Sequence, residues 1–182
     1  MAEPIFTSTE LVLPGVLLIT PMVRRDDRGF SANVYTVEDF VVCGVASSFV
    51  QDFTSRSKKN VVRGLHFQRA PYMQDKLVRC TYGEIFDVAA DCDPKSPTYG
   101  KYVSVLLKGN EQSTLYIPGK YAHGFCVLSE EAVVEYKLSD IYHPESVGGV
   151  RFDDSLLGIS WPVSSPILSE QDKSWPSLGS NV

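Results

Sequence analysis

The sequence predicts an all-β fold, a sandwich or barrel with very little helix. Three observations carry that prediction. Short runs rich in Val, Ile, Leu, Phe and Tyr recur along the chain. Turn signals punctuate them at close intervals: Pro14-Gly15, Asp27-Arg28-Gly29, Lys58-Lys59-Asn60, Tyr82-Gly83, Asp93-Pro94, Gly109-Asn110, Pro118-Gly119, His143-Pro144 and Gly148-Gly149. Helical signal is weak throughout.

The elements follow in order. The run Leu11 to Met22 reads as an edge strand without a partner of its own, which a second subunit would cover. Val37 to Val42 has room for a turn or two of helix. Val61 to Gln68 is a strand on which His66 and Gln68 share a face with Val62. Arg63 points the other way unless a bulge at Gly64 re-aims it, and glycine inside a strand is a common site for one. On Ile85 to Asp91, Asp87 and Asp91 lie with Ile85 and Ala89. On His123 to Val127, His123 lies with Phe125 and Val127. On Val133 to Leu138, Tyr136 lies with Val134 and Leu138. Asp153 to Gly158 reads as an acidic cap, one helical turn and a glycine stop. Several polar side chains thus sit on otherwise apolar faces, the pattern of a polar site inside an apolar barrel mouth.

Composition narrows the class. A chain of 182 residues is one domain by length, spanning 1–182, and is long enough for a real core. With 43% hydrophobic and 21% charged residues it is globular, not disordered. Its net charge of −5 argues against binding a nucleic acid nonspecifically, yet leaves room for a local basic cluster around one small anion. No apolar run is long enough for a transmembrane helix, and the first ten residues lack the pattern of a secretory signal. The scattered Cys43, Cys80, Cys92 and Cys126 form no C-x-x-C pair, so free thiols in a cytoplasmic protein are expected.

The candidate chemistry starts from three histidines, His66, His123 and His143. Each also reads as a core histidine bonded to backbone. A barrel metal site would want two or three ligands, often two histidines two residues apart on one strand. His66 is followed by Phe67 and Gln68, so no metal is expected. No G-x-S-x-G elbow occurs, and no cysteine has an evident histidine partner. Proton transfer fits better. The run Arg63-Gly64-Leu65-His66, followed by Lys76, sets a base beside cations. That suits abstraction of a proton next to a carbonyl, with cations stabilising the enolate oxygen and a tyrosine as acid. Arg28, Arg63 and Lys76 together would hold a phosphate or diphosphate, although each alone reads as a solvated surface charge.

Val61-Val62-Arg63-Gly64-Leu65-His66-Phe67-Gln68 resembles the RGLHxQ signature of the dTDP-4-dehydrorhamnose 3,5-epimerase family. The resemblance runs on through Lys76-Leu77-Val78-Arg79, Gly83 to Asp91, Ser96-Pro97-Thr98-Tyr99-Gly100 and Ala122-His123-Gly124-Phe125. It continues through Tyr136-Lys137, Tyr142-His143-Pro144-Glu145, Gly158 to Pro162 and Leu168-Ser169-Glu170-Gln171-Asp172. It covers nearly the whole chain in order. It implies a cupin-type double-stranded β-helix, or jelly roll, forming a homodimer and working without metal or organic cofactor. The implied substrate is a nucleotide-linked 4-keto-6-deoxyhexose inverted at C3, C5 or both. His66 resembles the family's general base, Asp172 its paired carboxylate and Tyr136 the proton donor on the opposite face of the sugar. Lys76 completes the implied catalytic set. Arg28, Gln51, Arg63, Lys76 and His123 match positions contacting diphosphate or sugar. Tyr142 matches one that stacks on the base, and Asp87 an acidic position near the lysine.

Four residues depart from the family pattern. Asn33 replaces a glutamate after Arg28-Gly29-Phe30, Phe53 an asparagine after Gln51-Asp52, Val147 a glutamate and Gln171 a lysine. Asn33 is kept as a substrate-binding candidate, and an amide donates where a carboxylate only accepts. The expected reaction is 3,5-epimerisation of the dTDP sugar. The alternatives are a single-centre epimerase, one acting on a CDP- or GDP-linked sugar, and a non-catalytic sugar-nucleotide-binding jelly roll.

Overall fold

The computed structural model describes residues 4–179. In chain order the elements are β1 (Phe6–Glu10), β2 (Leu17–Pro21), β3 (Val23–Asp26), β4 (Gly29–Ala32), α1 (Val37–Val42), β5 (Gln51–Lys58), β6 (Val62–Gln68) and β7 (Lys76–Tyr82). They continue with β8 (Glu84–Ala90), β9 (Tyr102–Lys108), β10 (Thr114–Ile117), β11 (Ala122–Val127), β12 (Glu131–Leu138), β13 (Val147–Gly149) and α2 (Glu170–Ser174). One sheet has the order β1-β2-β10-β7-β12-β5, a second β13-β6-β11-β8-β9, and β3-β4 form a separate hairpin. From β5 to β12 the chain passes repeatedly between the two large sheets. This is the double-stranded β-helix with little helix that the sequence predicts.

Period-two alternation explains the core. Val78, Cys80, Leu115, Ile117, Ala132 and Val134 of the first sheet meet Ile85, Ala89, Leu107, Phe125 and Val127 of the second. The outer face of the first sheet, with Leu17, Ile19, Leu77 and Tyr116, is covered by Phe40 of α1 together with Phe6 and Val45. A helix as short as α1 does not hold itself in water. Phe40, its one buried residue, docks edge-on against Phe6 at 5.2 Å and Tyr35 at 4.8 Å between ring centroids. The outer face of the second sheet is closed by Val150, Leu157 and Leu178.

One expectation needs correction, one short turn is borne out, and one helix was missed. The run 11–22 is not an edge strand. Gly15, at φ +82°, turns the chain so that β1 folds back on β2, and β2 then pairs on its other side with β10. The edge is β1. In 153–158 a single hydrogen-bonded turn forms, with the Asp154 carboxylate accepting from Leu156 and Leu157 N–H and Gly158 at φ +57°. The second true helix is α2, which sequence reasoning missed. Its signal was Ser169-Glu170-Gln171-Asp172, a cap residue followed three positions later by an acid. No helix among the described residues is long and apolar enough to cross a membrane.

Candidate active site

The site begins with an irregularity in β6. On a regular strand Arg63 and His66 face opposite ways. In the structure His123 of β11 stands opposite His66, and Phe125 stands opposite Arg63. One residue on β11 separates that pair, but two on β6, so β6 carries a bulge at Gly64-Leu65. Directly opposed residues of an antiparallel pair share a face, so Arg63 joins His66 on the face of His123 and Phe125. Glycine is required at 64. Its φ is +123°, and a Cβ there would stand 2.5 Å from Cα of Gly124. From this position Arg63 Nε donates to Ser57 Oγ on β5 at 3.0 Å, across to the other sheet.

Asp172 reaches His66 from the far end of the chain. Ser169 caps α2 by accepting from Asp172 N–H, and its hydroxyl donates to Asp172 Oδ2 at 2.8 Å. That fixes the carboxylate, only 3% exposed, with Oδ1 2.5 Å from His66 Nε2. Burial pushes the Asp172 carboxyl up, but the hydrogen bonds from His66 and Ser169 and the charge on His66 outweigh it and hold it below its usual value. An ionised carboxylate only accepts, so Nε2 carries the proton and Nδ1 keeps its lone pair for another group.

The first sheet supplies the opposite wall. Tyr136 on β12 stands across from Phe53 of β5 and Val78 of β7, and Leu138 stands across from Gln51 and Lys76. Tyr136, Gln51 and Lys76 therefore share one face. The Tyr136 ring meets the His123 ring edge-on at 5.8 Å between centroids. Burial and the charge of Asp87 push the Tyr136 phenol well above its usual value, against a smaller downward pull from Arg63. The phenol is thus held protonated. Behind His123, Asp87 is fully buried with Oδ1 2.7 Å from His123 Nε2. Burial raises the Asp87 carboxyl, partly offset by His123. Lys76 is buried, donates to the Gln74 carbonyl at 3.1 Å, and burial brings its ammonium down to about 8.

A cavity of about 190 Å³ opens between these walls, lined by His66, Gln68, Gln74, Lys76 and Tyr142. Two departures, Val147 and Gln171, line it too. Phe53, a third, packs on Tyr136 at 5.6 Å between ring centroids. Gln68 shapes this rim in a way the sequence did not reveal. Its amide donates to the Tyr72 and Ile141 carbonyls and accepts from His143 N–H, pinning the segment that carries Tyr142. A larger groove of about 550 Å³ is lined by Asp52, Arg79, Glu135, Tyr136 and Lys137, and Tyr136 is not among the residues lining the smaller cavity. Its charges are paired internally, Arg79 with Glu135 and Lys137 with Asp52.

Two expected contacts are not brought to this mouth. Arg28 sits at the tip of the β3–β4 hairpin, its side chain 90% exposed and paired with Asp26 at 2.5 Å. Asn33 is exposed just beyond the same hairpin. Among the described residues the strands of that hairpin pair only with each other.

Among the described residues the buried side-chain polar atoms left without a partner are Gln51 Oε1, Ser55 Oγ, Asp87 Oδ2 and Trp175 Nε1. The first two belong to the strand beside Tyr136, Asp87 holds His123, and Trp175 stands beside His66. Leaving a buried polar group unpaired costs about 1–3 kcal/mol, and each of the four stands beside a residue of the candidate site. Among the described residues no group of three or more His, Cys, Asp or Glu side chains is placed to hold a metal ion. Burial pushes the Cys80 and Cys126 thiols up to about 11 and Cys92 to about 12, so none is a ready nucleophile.

The chain is similar to known proteins over nearly its full length. The family model described as dTDP-4-dehydrorhamnose 3,5-epimerase matches residues 10–180. The dTDP-4-dehydrorhamnose 3,5-epimerase of Escherichia coli K12 is 50% identical over 160 residues, 87% of this chain and 86% of that protein. The crystal structure of a dTDP-6-deoxy-D-glucose-3,5-epimerase from Legionella pneumophila Philadelphia 1, in complex with dTDP-4-keto-L-rhamnose, superposes with a TM-score of 0.92 at 37% identity. That match covers 97% of this chain and 95% of the other. A 3'-monoepimerase from Streptomyces bikiniensis, in complex with dTDP-quinovose, matches at a TM-score of 0.87 and 28% identity, covering 92% and 86%.

Proposed function

The chain belongs to the dTDP-4-dehydrorhamnose 3,5-epimerase family, and we infer from that membership that it is an isomerase inverting C3 and C5 of dTDP-4-dehydro-6-deoxyglucose to give dTDP-4-dehydrorhamnose. Identity to the E. coli double epimerase, 50%, far exceeds identity to the monoepimerase, 28%, which favours inversion at both carbons. The observation that carries the mechanism is the placement of base and acid on opposite sheets. His66 and Tyr136 flank His123, one beside it on β6 and the other across the sandwich on β12. Inversion needs a proton taken from one face of the sugar and another delivered to the opposite face.

The C4 ketone acidifies the protons on both C3 and C5, so one base serves both centres after a change of sugar pose. His66 Nδ1 takes the proton, the electron pair of the C–H bond moves into an enolate, and Asp172 stabilises the imidazolium that forms. Lys76, Arg63 and His123 offset negative charge on the enolate oxygen and the diphosphate. Tyr136 protonates the carbon from the other side. Gln51, through its unpaired Oε1, accepts a sugar hydroxyl, and Tyr142, exposed on the rim, stacks on the base. The test is proton NMR of dTDP-4-dehydro-6-deoxyglucose with the protein in deuterated water. Deuterium entering at C3 and C5 is the expected result, and deuterium at one carbon only would replace this reading with a single-centre enzyme.

We further propose that the protein is a homodimer in which the β3–β4 hairpin serves the partner's site. Arg28 and Asn33 resemble substrate contacts yet lie outside their own mouth, and Phe30 on the same hairpin is exposed. A second copy resolves both facts. Sedimentation equilibrium is expected to give twice the chain mass, with R28A raising KM about tenfold, the scale of one lost charge-assisted contact, and sparing kcat. A fully active monomer would refute the arrangement.

A further inference from the structure

We propose that Trp175 is a positioning residue for the His66–Asp172 pair, acting through its ring; this rests on the reading of His66 as the base. Trp175 is the residue that ends α2, three positions after Asp172. A helix of five residues does not hold its place unaided. Ser169 fixes one end of α2, and Trp175 pins the other to the sheet.

The pin has a shaped seat. Gly149 on β13 stands directly opposite His66 on β6. A Cβ at 149 would lie 2.4 Å from two indole carbons and 2.7 Å from Nε1. The backbone there is not in the left-handed region, so glycine is required by the ring alone. Seated on it, the indole meets the His66 ring edge-on, with centroids 6.0 Å apart and planes at 66°. The indole therefore touches the base on one side and anchors the carboxylate's helix on the other.

Fixing Asp172 fixes the Nε2 proton of His66 and aims Nδ1 at the sugar. A small misplacement of a catalytic group is costly, on the order of a hundredfold per ångström.

The test compares W175F, W175A, G149A and the G149A/W175A double variant in the full-length enzyme. KM, kcat, dTDP affinity, deuterium entry and melting temperature are measured for each. W175F keeps a ring in the seat, and its kcat should stay within about threefold of wild type; W175A should fall about thirtyfold, with KM and dTDP affinity unchanged in both. G149A should match W175A and add nothing in the double variant, because the three atoms nearest its Cβ all belong to the ring. Wild-type kcat in all variants, losses seen in KM or dTDP affinity, or an additive G149A would overturn the proposal. If W175A does not fold, W175F and G149A decide. A wild-type enzyme without exchange, or H66N with exchange intact, would instead bring down the underlying reading of the base.

Discussion

H66N should lose deuterium exchange at C3 and C5 together, with kcat down on the order of a thousandfold or more, within the range of a lost general base. The reason lies in the hydrogen-bond arrangement. Asp172 accepts from Nε2 at 2.5 Å, which leaves Nδ1 as the basic nitrogen of that ring. Asn is smaller than His, and its amide, which takes the place of Nδ1 and not of Nε2, has no basic lone pair, so the base is gone. Lys76 does not substitute, because its ammonium is tied to the Gln74 carbonyl and is charged over much of the neutral range, its value having come down only to about 8. His123 does not substitute either, since it is buried and is not among the residues that line the cavity beside His66. Binding of dTDP should be little changed, because the variant alters neither Arg63 nor Tyr142. Exchange that survives at one carbon would show that the two centres use different bases. Full exchange at both would end the assignment of His66. The D172N comparison is informative beside it. There the base survives but loses its orienting acceptor, so exchange should slow at both carbons without vanishing.

Much of this site was legible before the structure, and the reasons are physical. Alternation with period two puts His123 with Phe125 and Tyr136 with Val134 on inward faces, and the structure keeps those faces. Gly64 inside a strand signalled a bulge, and the bulge is what turns Arg63 towards His66. Other features depend on contacts that no local pattern encodes. Asp172 meets His66 only because Ser169 starts a short helix far along the chain, and it was the family resemblance, not spacing, that paired them. Gln68 shares its strand with His66, yet its three hydrogen bonds tie the nearby Tyr72 to the distant segment 141–143. Trp175 is invisible until Gly149 is seen beneath it. The misread run 11–22 shows the opposite error. Apolar residues continue across Pro14-Gly15, and hydrophobicity outweighed the turn signal. Arg28 matched its motif but sits on an exposed hairpin whose strands, among the described residues, pair only with each other.

Y136F should separate proton removal from inversion. Formation of inverted product is expected to fall about a hundredfold, the contribution of a lost general acid, while deuterium entry at C3 falls much less. Phenylalanine preserves the ring contacts with His123 at 5.8 Å and Phe53 at 5.6 Å, so the lost hydroxyl is the only large change. His66 still removes the proton on its own side. The enolate then waits, and exchange of the His66 proton with solvent returns deuterium to the same face, which regenerates labelled substrate instead of product. In the wild type the phenol stands protonated, because burial and the Asp87 charge raise it well above its usual value. A phenol so placed is a weak acid, yet the carbon of an enolate is basic enough to take its proton. The phenolate left behind is then stabilised by Arg63, the one nearby charge that pulls the phenol down, until a proton returns. Lys76 stands on the strand next to Tyr136 with an ammonium that burial has made readier to give up its proton, and it is the natural source. The ratio of deuterium entry to product formation is the quantity to measure. A clear rise in that ratio supports Tyr136 as the donor on the second face. Equal loss of exchange and inversion would place the hydroxyl in proton removal or in holding the sugar, and the two-sheet division of base and acid would then have to be abandoned.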